Sequence, residues 1–297
     1  MNVDRVKVTE PVYRGEADQK IKTPVTIILL NYMQVLLQDI STYETRAISQ
    51  ACMLTDTNVH RASLGMLQTL FDFKTELLRG DLMPVGSVEF VRECLSIMGM
   101  TDIPFWLTYP DELEEFLHRK LKVRHAPYIR TMFTSQAIVT PVFIKPCKLK
   151  LFNGFVFYPT KKREDYDEHD QEQWDIVMSL DFRSMLYVSD VVDFQSEWRY
   201  YIDDNKIIGS ARYDDGPDEA LAPEIEVVNQ MIEAMPMNHP YTLDVGRLSS
   251  GETALVETND AWAIGLYGKV LTPRVYLDFL GKRWKSIVEE HLTSNQN

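Results

Sequence analysis

The spacing of apolar positions along the chain changes near residue 126. Before it, Pro24 opens a nearly continuous apolar run at 25–30, which reads as a buried strand. Over residues 31–80, Met33, Leu36, Leu37 and Ile40, then Leu64, Met66, Leu67, Leu70 and Phe71, recur at helical spacing. No proline and only Gly65 and Gly80 interrupt them, which predicts two or three helices. Ser87 suits the N-cap of a helix that buries Phe90, Val91, Leu95 and Met98 and stops at Gly99. Tyr109-Pro110-Asp111 predicts a further helix through Leu113, Phe116 and Leu117 to Arg119-Lys120.

After residue 126 the apolar positions fall in short β-branched and aromatic runs: 138–144, 154–158, 184–192, 198–202, 206–213, 242–245 and 254–258. Most are broken by Asp, Asn, Gly or Pro, as strands joined by turns require. Helices are predicted at 223–234 and 274–291, and the charged stretch 161–175 reads as a surface loop. A helix-rich first part followed by a strand-rich second part predicts an α+β fold of at least two lobes. Residues 1–22, polar and mixed in charge, read as a mobile lead-in.

Composition narrows the class. The chain has 297 residues, 45% hydrophobic and 25% charged, which excludes a disordered protein and supports a core without disulfide or metal staples. The net charge of −13 argues against duplex nucleic acid as a partner, since that requires a basic face. No apolar run approaches the ~20 residues that span a bilayer, and the first ten residues carry no apolar core of a secretory leader. Cys52, Cys94 and Cys147 are odd in number and widely spaced, so they predict reduced thiols in a cytoplasmic protein.

Chemistry concentrates in the second part. Leu243-Asp244-Val245-Gly246 precedes a Ser249-Ser250-Gly251 turn and Val256-Glu257-Thr258-Asn259-Asp260. Strand alternation puts Glu257 and Asn259 on one face, and Asp244 on the neighbouring strand can fall beside them. Two carboxylates and an amide oxygen form a hard donor set suited to Mg²⁺, although a solvent-facing polar strand would show the same residues. Lys145 ends the run Phe143-Ile144-Lys145-Pro146 and can place a point charge on a phosphate. Ser196-Glu197-Trp198-Arg199 leads through a hairpin to Arg212, which predicts both arginines at one end as a phosphate clamp, with surface salt bridging as the alternative. Trp262 and Tyr267 read as core aromatics. The six histidines are scattered and read as structural or surface residues.

The order of these motifs resembles the ATP-grasp fold, and more closely its RimK-related clade, with members in phages and bacteria. Pro84-Val85-Gly86-Ser87-Val88-Glu89-Phe90, Lys150-Leu151-Phe152-Asn153-Gly154 and Gly265-Leu266-Tyr267-Gly268 add to the likeness, which spans roughly residues 80–285. The resemblance implies a helix-rich preceding lobe at 23–125, a small lobe at 126–190 and a large lobe with the metal site at 191–297. It implies ATP and Mg²⁺ as cofactors. Lys145 would contact the phosphates, with Arg119 or Lys120 supplying a second cation. The backbone around Ser189, Asp190 and Val192 would read the adenine edge, and Glu197 the ribose. Arg199 and Arg212 would hold the transferred phosphoryl group, and Asp244, Glu257 and Asn259 the metal.

The implied activity is carboxylate–amine ligation through an acyl phosphate on an amino acid, peptide or protein terminus. A kinase-type phosphoryl transfer and a non-catalytic nucleotide-binding interaction module stay open beside it.

Overall fold

The computed structural model describes residues 33–67, 73–100, 108–135, 140–147 and 152–294. The expected lead-in, the strand at 25–30, Leu70, Phe71, Lys150 and Leu151 lie outside the described residues, as do residues 138 and 139 of the expected run 138–144.

The first unit runs β1 (Gln34–Gln38), α1 (Tyr43–Thr55), β2 (Val59–Ala62), α2 (Leu64–Leu67), α3 (Lys74–Arg79), β3 (Leu82–Val85) and α4 (Val88–Ile97). Its strands form a parallel sheet in the order β2–β1–β3. The helical reading of Met33, Leu36, Leu37 and Ile40 is corrected here: the first three lie in or beside β1, and Ile40 follows it. A central parallel strand is covered on both faces, so Val35, Leu36 and Leu37 are all buried and no period-two alternation appears. Ser87 caps α4 as predicted, accepting the Phe90 N–H at 3.2 Å.

A 3₁₀ turn, Asp111–Leu117, replaces the fuller helix expected after Pro110 and ends at His118 in the left-handed conformation. Then come β4 (Leu121–His125), α5 (Ala126–Thr134), β5 (Val142–Pro146), β6 (Phe155–Phe157), α6 (Glu168–Ser179) and β7 (Met185–Asp190). They build an antiparallel sheet ordered β4–β7–β5–β6. Residues 161–175 are not a plain loop. Asp167 accepts the Asp170 N–H at 2.8 Å and caps α6, which turns Gln173 and Val177 inward. Trp174 packs at its inner edge against the core of this sheet.

The third sheet is also antiparallel, ordered β11–β10–β8–β9, with β8 (Phe194–Asp203), β9 (Lys206–Arg212), β10 (Tyr241–Leu248) and β11 (Thr253–Asp260). Helix α7 (Ile225–Ala234) covers one face, burying Val228, Met231 and Ile232 against Tyr200, Leu243 and Val245. The last helix, α8 (Pro273–Ser294), turns back to the start of the chain. Trp284, Ile287 and Val288 share one core with Leu36 and Ile48 of the first unit, while Phe279 meets Tyr201 of β8 edge-on at 5.8 Å. Arg283, fully buried, donates to both oxygens of Asp260 at 2.6 and 2.7 Å and ties α8 to the end of β11. No described helix is long and apolar enough to cross a membrane.

Because α8 closes the core of the first unit, Trp284→Ala is expected to cost about 3–5 kcal/mol in urea unfolding. Leu292→Ala, on the exposed face of the same helix, should stay within about 0.5 kcal/mol. Equal costs would show that α8 is not packed as described.

Candidate active site

The face of the third sheet away from α7 carries the polar cluster. Cross-strand partners share a face, and the register pairs Asp244 with Arg199 on one side and Glu257 on the other. Thr242 pairs with Asn259, and Gly246 with Glu197, so all these positions point the same way. Arg199 donates from Nε and Nη2 to the two oxygens of Asp244 at 2.8 and 2.7 Å, a bidentate pair with side chains 8% and 2% exposed. Asn259 Nδ2 donates to Asp244 at 3.2 Å and to Glu257 at 3.1 Å, drawing the two carboxylates together. Burial works against the Arg199 charge, but the charge and hydrogen bonds of Asp244 outweigh it and raise its pKa above the ordinary guanidinium value.

Lys145 completes the cluster from the other sheet. It sits near the end of β5, opposite Tyr187, and its ammonium pairs with Glu257 of β11. Burial, opposed by the Asp244 charge and reinforced by Arg119 and Arg199, lowers Lys145 to about 8. The segment before the 3₁₀ turn lies in this junction. Thr108 bridges to Thr258, and the Tyr109 ring lies 4.8 Å from that of Tyr187 with Lys145 Nζ 5.6 Å from its centre.

A β-bulge after Asp244 makes Val256 an extra residue in β11. Arg119 satisfies the carbonyls there, donating to Leu255 O at 2.9 Å and Val256 O at 3.0 Å. Part of its guanidinium therefore serves the backbone, although its charge still reaches Lys145. Lys120 has an exposed side chain, and its backbone pairs with Asp190: its N–H donates to the carboxylate at 3.1 Å and its carbonyl accepts the Asp190 N–H at 3.2 Å.

The expected arginine clamp is corrected. Arg199 and Arg212 do lie at the same end of the hairpin, but Arg199 pairs with Ala211 and Arg212 with Trp198. Neighbouring register pairs point to opposite faces, so Arg212 turns away from Asp244. It binds both oxygens of Asp214 at 2.7 and 2.8 Å and the carbonyl of Pro217 at 2.9 Å. Asp214 also accepts the N–H groups of Glu197 and Gly216. Arg212 chiefly, with those N–H groups helping against burial, holds the Asp214 carboxyl well below the usual carboxylate range.

Glu197 accepts from Tyr213 Oη at 2.7 Å. Burial raises its pKa, and the Asp244 and Asp214 charges add to that against the pull of the tyrosine hydrogen bond. Tyr213 stacks on Tyr267 with ring centres 5.2 Å apart, and the Arg199 guanidinium lies 4.8 Å from the Tyr267 ring and 5.8 Å from that of Tyr213. Trp262 is buried as expected; Tyr267 is not, being 37% exposed beside Arg199. Neither tyrosine was legible as a site residue, because their meeting depends on a loop returning from the end of β11. Ser189 and Asp190 end β7, and Val192 lies in the short crossing from β7 to β8, between the two antiparallel sheets. Ser189 is buried and Val192 half-buried.

By donor chemistry Asp244 and Glu257, cross-strand partners, fit a hard divalent cation, and Asn259 offers its amide oxygen there once the amide turns over from the Nδ2 contacts it makes to both carboxylates. The carboxylates are balanced by Arg199 and Lys145.

A family model described as an ATP-grasp domain, the second family of the RimK-related clade, matches residues 116–278. Among solved structures, an L-amino acid ligase from Bacillus licheniformis matches at TM-score 0.53 and 11% identity, over 85% of this chain and 76% of that one. N5-carboxyaminoimidazole synthetase from Staphylococcus aureus matches at 0.52 and 7%, over 85% and 78%. A RimK domain ATP-grasp protein from Sphaerobacter thermophilus matches at 0.50 and 14%, over 83% and 99%. At these identities the likeness is one of fold. No match to a curated protein is found.

Removing one partner of the central pair leaves a buried charge alone. Arg199→Met is expected to cost about 3–5 kcal/mol in denaturant unfolding, and the double variant with Asp244→Leu less than Arg199→Met alone. A loss below about 1 kcal/mol for Arg199→Met would remove the pair from the framework of the sheet.

Proposed function

The chain belongs to the second family of the RimK-related clade of ATP-grasp domains, and we propose that it is an ATP-dependent carboxylate–amine ligase working through an acyl phosphate. One observation carries this reading. Lys145 of one sheet meets Glu257 of another, on a face where Arg199, Asp244 and Asn259 already form a single network. Phosphoryl transfer asks little covalent chemistry of a protein; it needs positioning and charge neutralisation. Opposed cations and carboxylates at the junction of two sheets suit that need.

In this reading Lys145 gives its point charge to the ATP phosphates, and Arg199 holds the phosphoryl group in transfer. Asp244, Glu257 and Asn259 hold Mg²⁺, which when bound neutralises phosphate charge. The backbone from Ser189 through Asp190 to Val192 faces the adenine edge, and Glu197 accepts from the ribose hydroxyls. Arg212 acts by fixing the Asp214 loop against the Glu197 backbone. In the same reading the chain divides into a preceding lobe at 23–125, a small lobe at 126–190 and a large lobe at 191–297; β4, which pairs with β7, moves the start of the small lobe back to about residue 121. The substrates are a carboxylate and an amine from an amino acid, peptide or protein terminus, met in the cytoplasm. No serine or cysteine nucleophile is required: Cys52 and Cys94 are buried, and burial pushes the Cys94 thiol up to about 12.

Millimolar MgATP should raise the melting temperature by several degrees, since binding at 100-fold over Kd stabilises by about 2.7 kcal/mol. Glu257→Gln should fold normally, lose Mg²⁺-dependent binding and abolish ADP release. An unchanged rate would remove Glu257 from the metal site, and ADP release without both an acid and an amine would favour a kinase or a hydrolase.

The position of Lys145 also predicts a pH dependence. Its folded value lies below that of an ordinary lysine, so the ammonium is lost as pH rises through about 8. MgATP affinity should therefore fall up to about tenfold over the next pH unit. Lys145→Arg stays charged and should flatten that profile; an identical decline in the variant would assign it to another group.

A further inference from the structure

Strand β11 is the outer strand of its sheet, so among the described strands β10 alone sets its register. That register changes at one place. Val245 pairs with Leu255 and Asp244 with Glu257, which leaves Val256 as an extra residue between them. Had the pairing run on regularly from Leu255, Val256 would stand opposite Asp244, and Glu257 opposite Leu243 on the face packed under α7. The place of the bulge therefore decides whether the Glu257 carboxylate joins the polar face. On an edge strand no second ladder holds a bulge where it is. Moved one place toward Asn259, it would make Glu257 itself the unpaired residue.

Arg119 occupies the outer side of β11 at this point. Its Nη1 donates to Leu255 O at 2.9 Å and its Nη2 to Val256 O at 3.0 Å, so the planar fork spans the bulge. Nη1 also reaches Leu117 O at 3.3 Å, and the guanidinium lies 5.5 Å from the centre of the Tyr109 ring and 5.8 Å from that of Phe194. Beyond the bulge Thr108 O accepts the Thr258 N–H at 2.9 Å, so the segment 108–119 meets the outer backbone of β11 on both sides of Glu257. Arg119 is fixed in turn by its neighbour Lys120, whose backbone pairs with Asp190 at the end of β7.

We propose that Arg119 is a positioning residue: its two-pronged grip on the Leu255 and Val256 carbonyls holds the bulge, and so holds Glu257 where it can share a divalent cation with Asp244. The proposal rests on the ligase reading for the metal. It departs from the second phosphate-binding cation that the resemblance implies for Arg119 or Lys120. A point charge on a phosphate asks only for a cation. A clamp on two successive carbonyls asks for two donors in one rigid plane, which arginine has and lysine lacks.

The full chain is titrated by calorimetry with the non-hydrolysable analogue adenylyl-imidodiphosphate, once with Mg²⁺ and once with EDTA, and is unfolded in urea without ligand. In Arg119→Met the gain in affinity that Mg²⁺ brings should drop about tenfold or more, while affinity in EDTA stays within about twofold. Arg119→Lys should lose nearly as much. Deleting Val256 removes the bulge and leaves Glu257 opposite Asp244 by simple alternation, so in that background Arg119→Met should leave the Mg²⁺ gain intact. The urea midpoint, lowered by Arg119→Met in the full sequence, should fall by less once Val256 is gone. Equal loss with Mg²⁺ and with EDTA, or full recovery in Arg119→Lys, would make Arg119 a phosphate contact and overturn the proposal. An undiminished effect of Arg119→Met in the chain lacking Val256 would overturn it too. If the deletion does not fold, the lysine comparison decides. A wild-type chain that binds the analogue no better with Mg²⁺ than with EDTA would instead sink the metal site of the ligase reading, and the urea midpoints would then decide whether Arg119 holds the bulge.

Discussion

The Arg199–Asp244 pair governs the rest of the site. Two charges removed from water persist only if their geometry is good and their remaining valences are met. Here the geometry is bidentate, Asn259 adds a donor to Asp244, and the Tyr267 ring lies against the guanidinium. Each of those partners sits on a different strand or loop, so satisfying the pair aligns β8, β10, β11 and the loop that follows β11. The same demand keeps the face polar, while the opposite face, packed on α7, is free to be apolar.

Lys145 and Arg119 extend that logic between sheets. Lys145 loses solvation in the junction and is matched by Glu257, while Arg119 covers carbonyls exposed by the bulge in β11. Both contacts add to the apolar one made by the turn before β4, whose Leu113, Phe116 and Leu117 share the core of the third sheet. Ion pairs of this kind are exchangeable: a phosphate can take the lysine and a divalent cation the carboxylate, so the contact that assembles the site is also the one a nucleotide would rearrange. Aromatic rings at the junction, Tyr109 and Tyr187 on one side and Tyr213 and Tyr267 on the other, limit the water that would weaken those charges.

The first unit is stabilised from the far end of the chain. Its three short strands share one core with α1, α4 and the returning α8, and Arg283 anchors α8 to Asp260 at the end of β11. The segment between β11 and α8 is held by Tyr201 and Tyr276, and it brings Tyr267 against Arg199 on the polar face. Through it the geometry of the first unit is coupled to that of Arg199.

Features set by neighbours in the chain were legible without coordinates. Alternation along 254–260 was enough to put Glu257 and Asn259 on one face, Ser87 announced the start of α4, and the motif order from Lys145 to Asn259 pointed to the family. Where two patterns coincide locally, reading failed. A fully buried parallel strand and a helix face both present runs such as Met33, Leu36 and Leu37, and only the neighbouring strands decide between them. Helix α6 hid in charged sequence because its inward side is narrow, though Asp167 with Trp174 and Val177 carried the signal. Register lies further from sequence still. A shift of one residue across the β8–β9 hairpin reverses a side chain's direction, and that is why Arg199 faces the carboxylates while Arg212 faces Asp214. The residue types and their order determined which chemistry this chain can carry. The pairing of strands, and the return of the loop that brought Tyr267 to Arg199, were decided by tertiary packing, because those contacts join residues with no local reason to meet.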